Sequence, residues 1–109
     1  MSENNYLDGM TAFYIIVGDA ATMRDRMSMS DPTGYVRFKL VGIIACSAKE
    51  SMPSPTIAAE YLERLHALLL ELSPRYACME VQRMLAKTEE MIGTVNNSIA
   101  QQAVRRLLD

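Results

Sequence analysis

Hydrophobic positions recur along most of this chain with the spacing of helices, and proline marks where segments begin. Pro appears four times, and three times it follows a residue suited to capping a helix: Asp31-Pro32, Ser54-Pro55 and Ser73-Pro74. An Asp or Ser side chain accepts from the free N–H groups of a first turn. Pro at the next position gives up no helical hydrogen bond and sets φ near the helical value. These signals predict four helical segments, with Asp8 as the corresponding cap of the first.

Segment one is expected from about Asp8 to Met29. At about 100° per residue, Met10, Phe13, Tyr14, Ile16, Val17, Ala20, Ala21, Met23 and Met27 share a side. Thr11, Gly18, Asp19, Thr22, Asp25 and Arg26 take the other, with Ile15 and Arg24 as exceptions. Phe13 to Val17 would also suit a strand, but the helical phase continues to Met27. Segment three, about Pro55 to Leu72, is plainly amphipathic. Ile57, Tyr61, Leu62, Leu65, Leu68, Leu69 and Leu72 oppose Glu60, Glu63, Arg64 and Glu71. Segment four is expected to run from Pro74 to about Arg106 in one phase through Ala77, Val81, Met84, Leu85, Thr88, Met91, Ile92, Val95, Ile99 and Ala103. That is a helix of roughly 45 Å against about 25 to 30 Å for the others. Gly93 and Asn96 to Ser98 are weak helix formers, and the competing reading puts a turn at Asn96-Asn97.

Segment two, about Pro32 to Ser51, breaks the pattern. Val36, Phe38, Leu40, Val41, Ile43, Ile44, Ala45 and Cys46 surround the whole wheel. A helix apolar on all sides is expected to be buried on all sides. The alternation from Val36 to Leu40 also suits a strand. The Asp-Pro start and the run from Ala45 to Ala48 favour helix. The fold expected is therefore all-α: a four-helix arrangement in a single domain, residues 1–109, with a long C-terminal helix.

Two features predict a second chain. The long helix is expected to leave its far end, around Val95, Ile99 and Ala103, uncovered. Segment two has no polar side to show to water. Large exposed apolar patches mark contact surfaces, and a two-fold homodimer is the commonest way to cover them. The interface is expected at Val36, Phe38, Leu40, Ile43, Ile44, Met84, Met91, Ile92, Val95 and Ile99. The competing reading is a monomer with a broken fourth helix.

Composition adds exclusions. Of 109 residues, half are apolar and 22% charged, enough for a core and a wettable surface. The net charge of −2 argues against a phosphate-gripping protein, which depends on excess Lys and Arg. Direct nucleic-acid binding is thus a minor alternative. No stretch approaches a membrane span, and the opening Met-Ser-Glu-Asn-Asn-Tyr has neither the basic nor the apolar region of a secretory leader. A cytoplasmic protein is expected, with Cys46 and Cys78 reduced and buried. Nine methionines suit irregular cores and adaptable contact surfaces alike.

Chemistry-bearing groups are sparse. The one histidine, His66, falls at the border of a polar face with no metal-ligand spacing around it. The cysteines form no CxxC pair. Glu60, Glu63, Glu71, Glu80, Glu89 and Glu90 fall on solvent faces, and the glycines are isolated. The basic residues Arg24, Arg26, Arg37 and Lys39 gather near the first connection, and Arg105 and Arg106 near the end. Catalytic residues, metal sites and cofactors are not expected, so the class is a protein that acts by contact.

In size, helical content and apolar, Met-rich faces, the chain resembles the QslA-like quorum-sensing antiactivators of bacteria. The stretches to compare first are Tyr35 to Val41 and Ser73 to Met79. The resemblance implies regulation of transcription: occupation of the ligand-binding domain of a LuxR-type transcription factor, blocking its dimerisation and DNA binding. It assigns no role to individual residues. The alternative within the same class is a small helical secretion chaperone or assembly subunit, also working by helix-in-groove contact.

Overall fold

The structure is a computed structural model that describes the backbone of residues 2–109 and the side chains of residues 10–109. It contains α1 (Ser2–Met27), α2 (Pro32–Glu50), α3 (Pro55–Leu72) and α4 (Met79–Leu108), with no strand among the described residues. Connections of four to six residues turn each helix back on the last. α1 and α3 each pack on both α2 and α4. The result is an up-down-up-down bundle 57 Å long and about 22 Å across.

Asp31 caps α2 as expected. Its Oδ1 accepts from the Gly34 N–H at 3.0 Å, and Pro32 follows it in the first turn. Ser54 stands at the N-cap of α3 with Pro55 next, but its side chain makes no capping bond. Two boundaries differ from the sequence reading. α1 begins at Ser2, so residue 8 lies inside the helix and Asp8 is not its cap. Ser73 and Pro74 do not open α4. Ser73 keeps helical dihedrals at the end of α3, and the turn runs on through Tyr76 N–H to Leu72 O. α4 starts only at Met79, after an extended Cys78. Beyond that it is unbroken through Gly93 and Asn96-Asn97.

The core is a stack of one stripe from each helix: Phe13, Ile16 and Met23 from α1; Phe38 and Val41 from α2; Leu62, Leu65, Leu69 and Leu72 from α3; Val81, Met84, Met91 and Val95 from α4. Thr88, buried among them, donates its hydroxyl to Met84 O at 2.7 Å, so among the described residues no buried side-chain polar group is left without a partner. Asp19 is the other buried polar residue among the described ones. Arg83 donates to both its oxygens at 2.7 Å, joining α1 to α4 in a two-pronged pair.

The expected gap at the far end of α4 closes over Val95 and Ile99, while Ala103 is exposed as expected. His66 on α3 meets Glu89 on α4, and α3 begins eleven residues before His66. The antiparallel α3 therefore covers α4 about eleven residues past Glu89. Val95 is buried and Ile99 partly so. The apolar residues left in water lie further on, at Val104, Leu107 and Leu108.

At the opposite end, Arg26 of α1 donates to Glu80 of α4 at 3.0 Å. Arg26, the Glu80 backbone N–H and the Cys78 thiol hold the Glu80 carboxyl down to about 2. The Tyr76 hydroxyl and the Gly34 N–H likewise hold Asp31 below the usual carboxylate range. A carboxyl with a lowered pKa in the folded state binds protons less tightly there than in the unfolded chain. Its stabilisation is complete above the ordinary carboxylate range and is lost as pH falls, for Glu80 through about 2. The urea midpoint should therefore drop between about pH 5 and about pH 2. Glu80→Gln should start lower at pH 7 and drop less; an undiminished drop would exclude this pair as a source of acid sensitivity.

Candidate partner-binding surface

α2 is a helix throughout, yet it is not buried all round. Its core face is built from Gly34, Phe38, Val41, Ala45 and Ala48. Four of these five are small or β-branched, and the larger Leu40 and Ile43 point the other way. Val36, Leu40 and Ile43 are 61%, 42% and 54% exposed. At spacings of four and three residues they form one stripe along the outside of the helix. Single exposed apolar side chains are ordinary, but three in register on one helix make a continuous apolar strip.

The residues expected at an interface divide cleanly. Val36, Leu40 and Ile43 are brought together on the surface. Phe38, Met84, Met91 and Val95 lie in the chain's own core, and Ile44, Ile92 and Ile99 are partly buried against it. Burial inside the bundle removes the first four from any surface that a partner reaches. The thiols also differ from expectation: Cys46 is exposed and Cys78 partly exposed, both free. Exposed apolar residues that the sequence pattern did not single out include Tyr14, Ile57 and Leu70. The helical wheel puts Tyr14 and Ile57 on core faces, though at the edge of each apolar arc.

Charge flanks the strip unevenly. On the α3 side, Arg37 is tied to Glu71. On the α1 side an open groove is lined by Val17, Ala21, Arg24, Lys39, Cys46 and Glu50. Lys49 does not face the strip; its ammonium sits 4.9 Å above the Tyr14 ring. The outer face of α2 thus carries an apolar centre, a neutralised edge toward α3 and an edge toward α1 bearing Lys39 and Glu50.

Elsewhere the polar side chains pair with one another. His66 Nε2 lies 3.2 Å from Glu89, Lys87 pairs with Glu90, and Cys78 Sγ lies 3.6 Å from Met23 Sδ. Among the described residues no three His, Cys, Asp or Glu side chains converge, and no helix is long and apolar enough to cross a membrane. No protein-family model matches the chain, and neither a curated protein nor a solved structure matches it significantly.

Proposed function

We propose that the protein is a regulatory binding module that docks another protein chain on the outer face of α2. The observation that carries this reading is the exposed strip Val36, Leu40 and Ile43. Water contact costs roughly 25 cal/mol for each Å² of that apolar area, and a partner that covers it recovers the difference. The bundle holds the strip on a helix anchored by Phe38 and Val41, so it is presented ready-formed and little ordering is needed on binding.

The likeness to QslA-like antiactivators supplies a specific partner: the ligand-binding domain of a LuxR-type transcription factor. An apolar helix can stand in for one subunit at a dimer interface. A factor held in this way is kept from pairing, and so from gripping a two-fold operator.

Binding of a purified LuxR-type ligand-binding domain from the same cell tests both levels. Leu40→Asp places a charge mid-strip and should weaken binding at least about tenfold while helical circular dichroism stays unchanged. Binding that ignores Leu40→Asp rejects the α2 face. If no such domain binds the wild type, the antiactivator role goes.

A further inference from the structure

Lys39 and Glu50 are both exposed. Neither belongs to any of the ion pairs formed among the described residues. They are eleven residues apart, which at about 100° per residue is three turns and leaves them within roughly 20° of each other around the helix. Both border the groove against α1, so they mark one flank of the apolar strip at two heights.

We propose that a second copy of the chain covers this face, its α2 packed antiparallel across a two-fold axis. The proposal rests on the reading of α2 as a docking face and names what occupies it when no other partner is present. A two-fold axis between antiparallel helices keeps equivalent flanks on the same side, so the Lys39 and Glu50 flanks of the two copies meet. Their midpoint lies between Ile44 and Ala45. An axis passing there sets each Lys39 opposite Glu50 of the second copy and closes two ion pairs. Ile43 then lies near the centre, with Leu40 a turn away. Val36 reaches the second copy's α2–α3 turn, where Pro53 is exposed and Met52 half-buried. In a parallel pair the two-fold axis runs along the helices and places equivalent flanks on opposite sides, so Lys39 and Glu50 would meet the other flank of the second copy and close no pair with each other. The charge pattern therefore favours the antiparallel arrangement, the one that brings the two residues together.

One helix from each copy gives a small contact, at the weak and reversible end of protein interfaces. Sedimentation from about 10 to about 500 µM at low salt covers that affinity range. The wild type should pass from monomer to dimer. Lys39→Glu and Glu50→Lys each oppose like charges and should weaken the dimer at least about tenfold. The double variant Lys39→Glu/Glu50→Lys should restore it. Both residues are exposed, so the fold should be unaffected, which circular dichroism verifies. A wild type that stays monomeric throughout overturns the proposal. So does a dimer indifferent to the single changes, or one that the double change fails to restore. These results are separable from failure of the docking face itself. A monomeric wild type whose partner binding is lost in Leu40→Asp keeps the face and removes only the second copy.

Discussion

Phe38→Ala is expected to destabilise the protein by about 3–5 kcal/mol, while Val36→Ala, two residues away, stays within about 0.5 kcal/mol. The contrast comes from the direction of each side chain. Phe38 is fully buried on the core face of α2. Its ring meets that of Tyr76 edge-on at 5.2 Å and 70°, which ties the α3–α4 connection to the bundle. Removing it opens a cavity between α2 and that connection, bordered by residues that other contacts already hold. Val36 is mostly in water and loses little on truncation. In a domain of this size the Phe38 change corresponds to a fall in melting temperature of roughly 15 °C or more. Thermal melts of the two variants, checked against urea midpoints, provide the measurement. Similar losses would mean that α2 is seated with a different face inward, and the exposed strip would no longer stand. In the monomer the same pair separates packing from binding: Val36→Ala should alter contacts with another chain and leave the melt nearly unchanged.

The orientation of α2 is also where sequence and structure part most instructively. A helical wheel counts apolar residues and ignores their size. Around α2 apolar residues occur in every direction with the polar ones scattered among them, so the wheel has no preferred direction and implies burial all round. What orients the helix is volume. Gly34, Ala45 and Ala48 let α2 lie close to its neighbours, with Phe38 and Val41 filling the space between, and the larger Leu40 and Ile43 are left outside. α3 offered no such ambiguity, because its Glu and Arg residues mark the wet side, and Leu62, Leu65, Leu69 and Leu72 are buried as the spacing predicts.

Boundaries were legible where a cap has a tertiary partner in the same place, as at Asp31. Ser73-Pro74 has the same local chemistry, yet the chain remains in the turn that follows α3 until Tyr76 is anchored against Phe38 and Asp31. Pro is as well suited to the residues just past a helix as to its first turn. The dipeptide alone carries no information on which applies. The far end of α4 depends on a similar non-local fact. Its cover follows from how α3 is aligned beside it, which His66 and Glu89 show and no spacing within α4 encodes. Val95 therefore reads as surface from the length of one helix and proves to be core once its neighbour is in place.

That anchor at the start of α2 leads to an unusual expectation for a helical glycine. Gly34→Ala should destabilise by about 1–3 kcal/mol, against the gain of up to about 1 kcal/mol that Gly→Ala brings in an unobstructed helix. A Cβ on Gly34 would stand 2.6 Å from the Tyr76 hydroxyl oxygen and 2.8 Å from Asp31 Oδ2. Neither can retreat freely. The Tyr76 ring is packed on Phe38, its hydroxyl donates to Asp31, and the other oxygen of Asp31 accepts from the Gly34 N–H. Making room for the methyl therefore breaks the hydrogen bond that joins the α3–α4 connection to the cap of α2. Gly18, also within a helix, supplies the control. A Cβ there meets nothing within 4 Å, so Gly18→Ala should stabilise. Tyr76→Phe removes the nearest obstructing atom. In the Gly34→Ala/Tyr76→Phe double variant the loss should be smaller than the sum of the single losses, by about 0.5–2 kcal/mol. Urea unfolding of the four proteins of that cycle measures the coupling. Strict additivity would show that the hydroxyl is not what excludes a side chain at residue 34, and that the short approach of Tyr76 to Asp31 is not what requires glycine there.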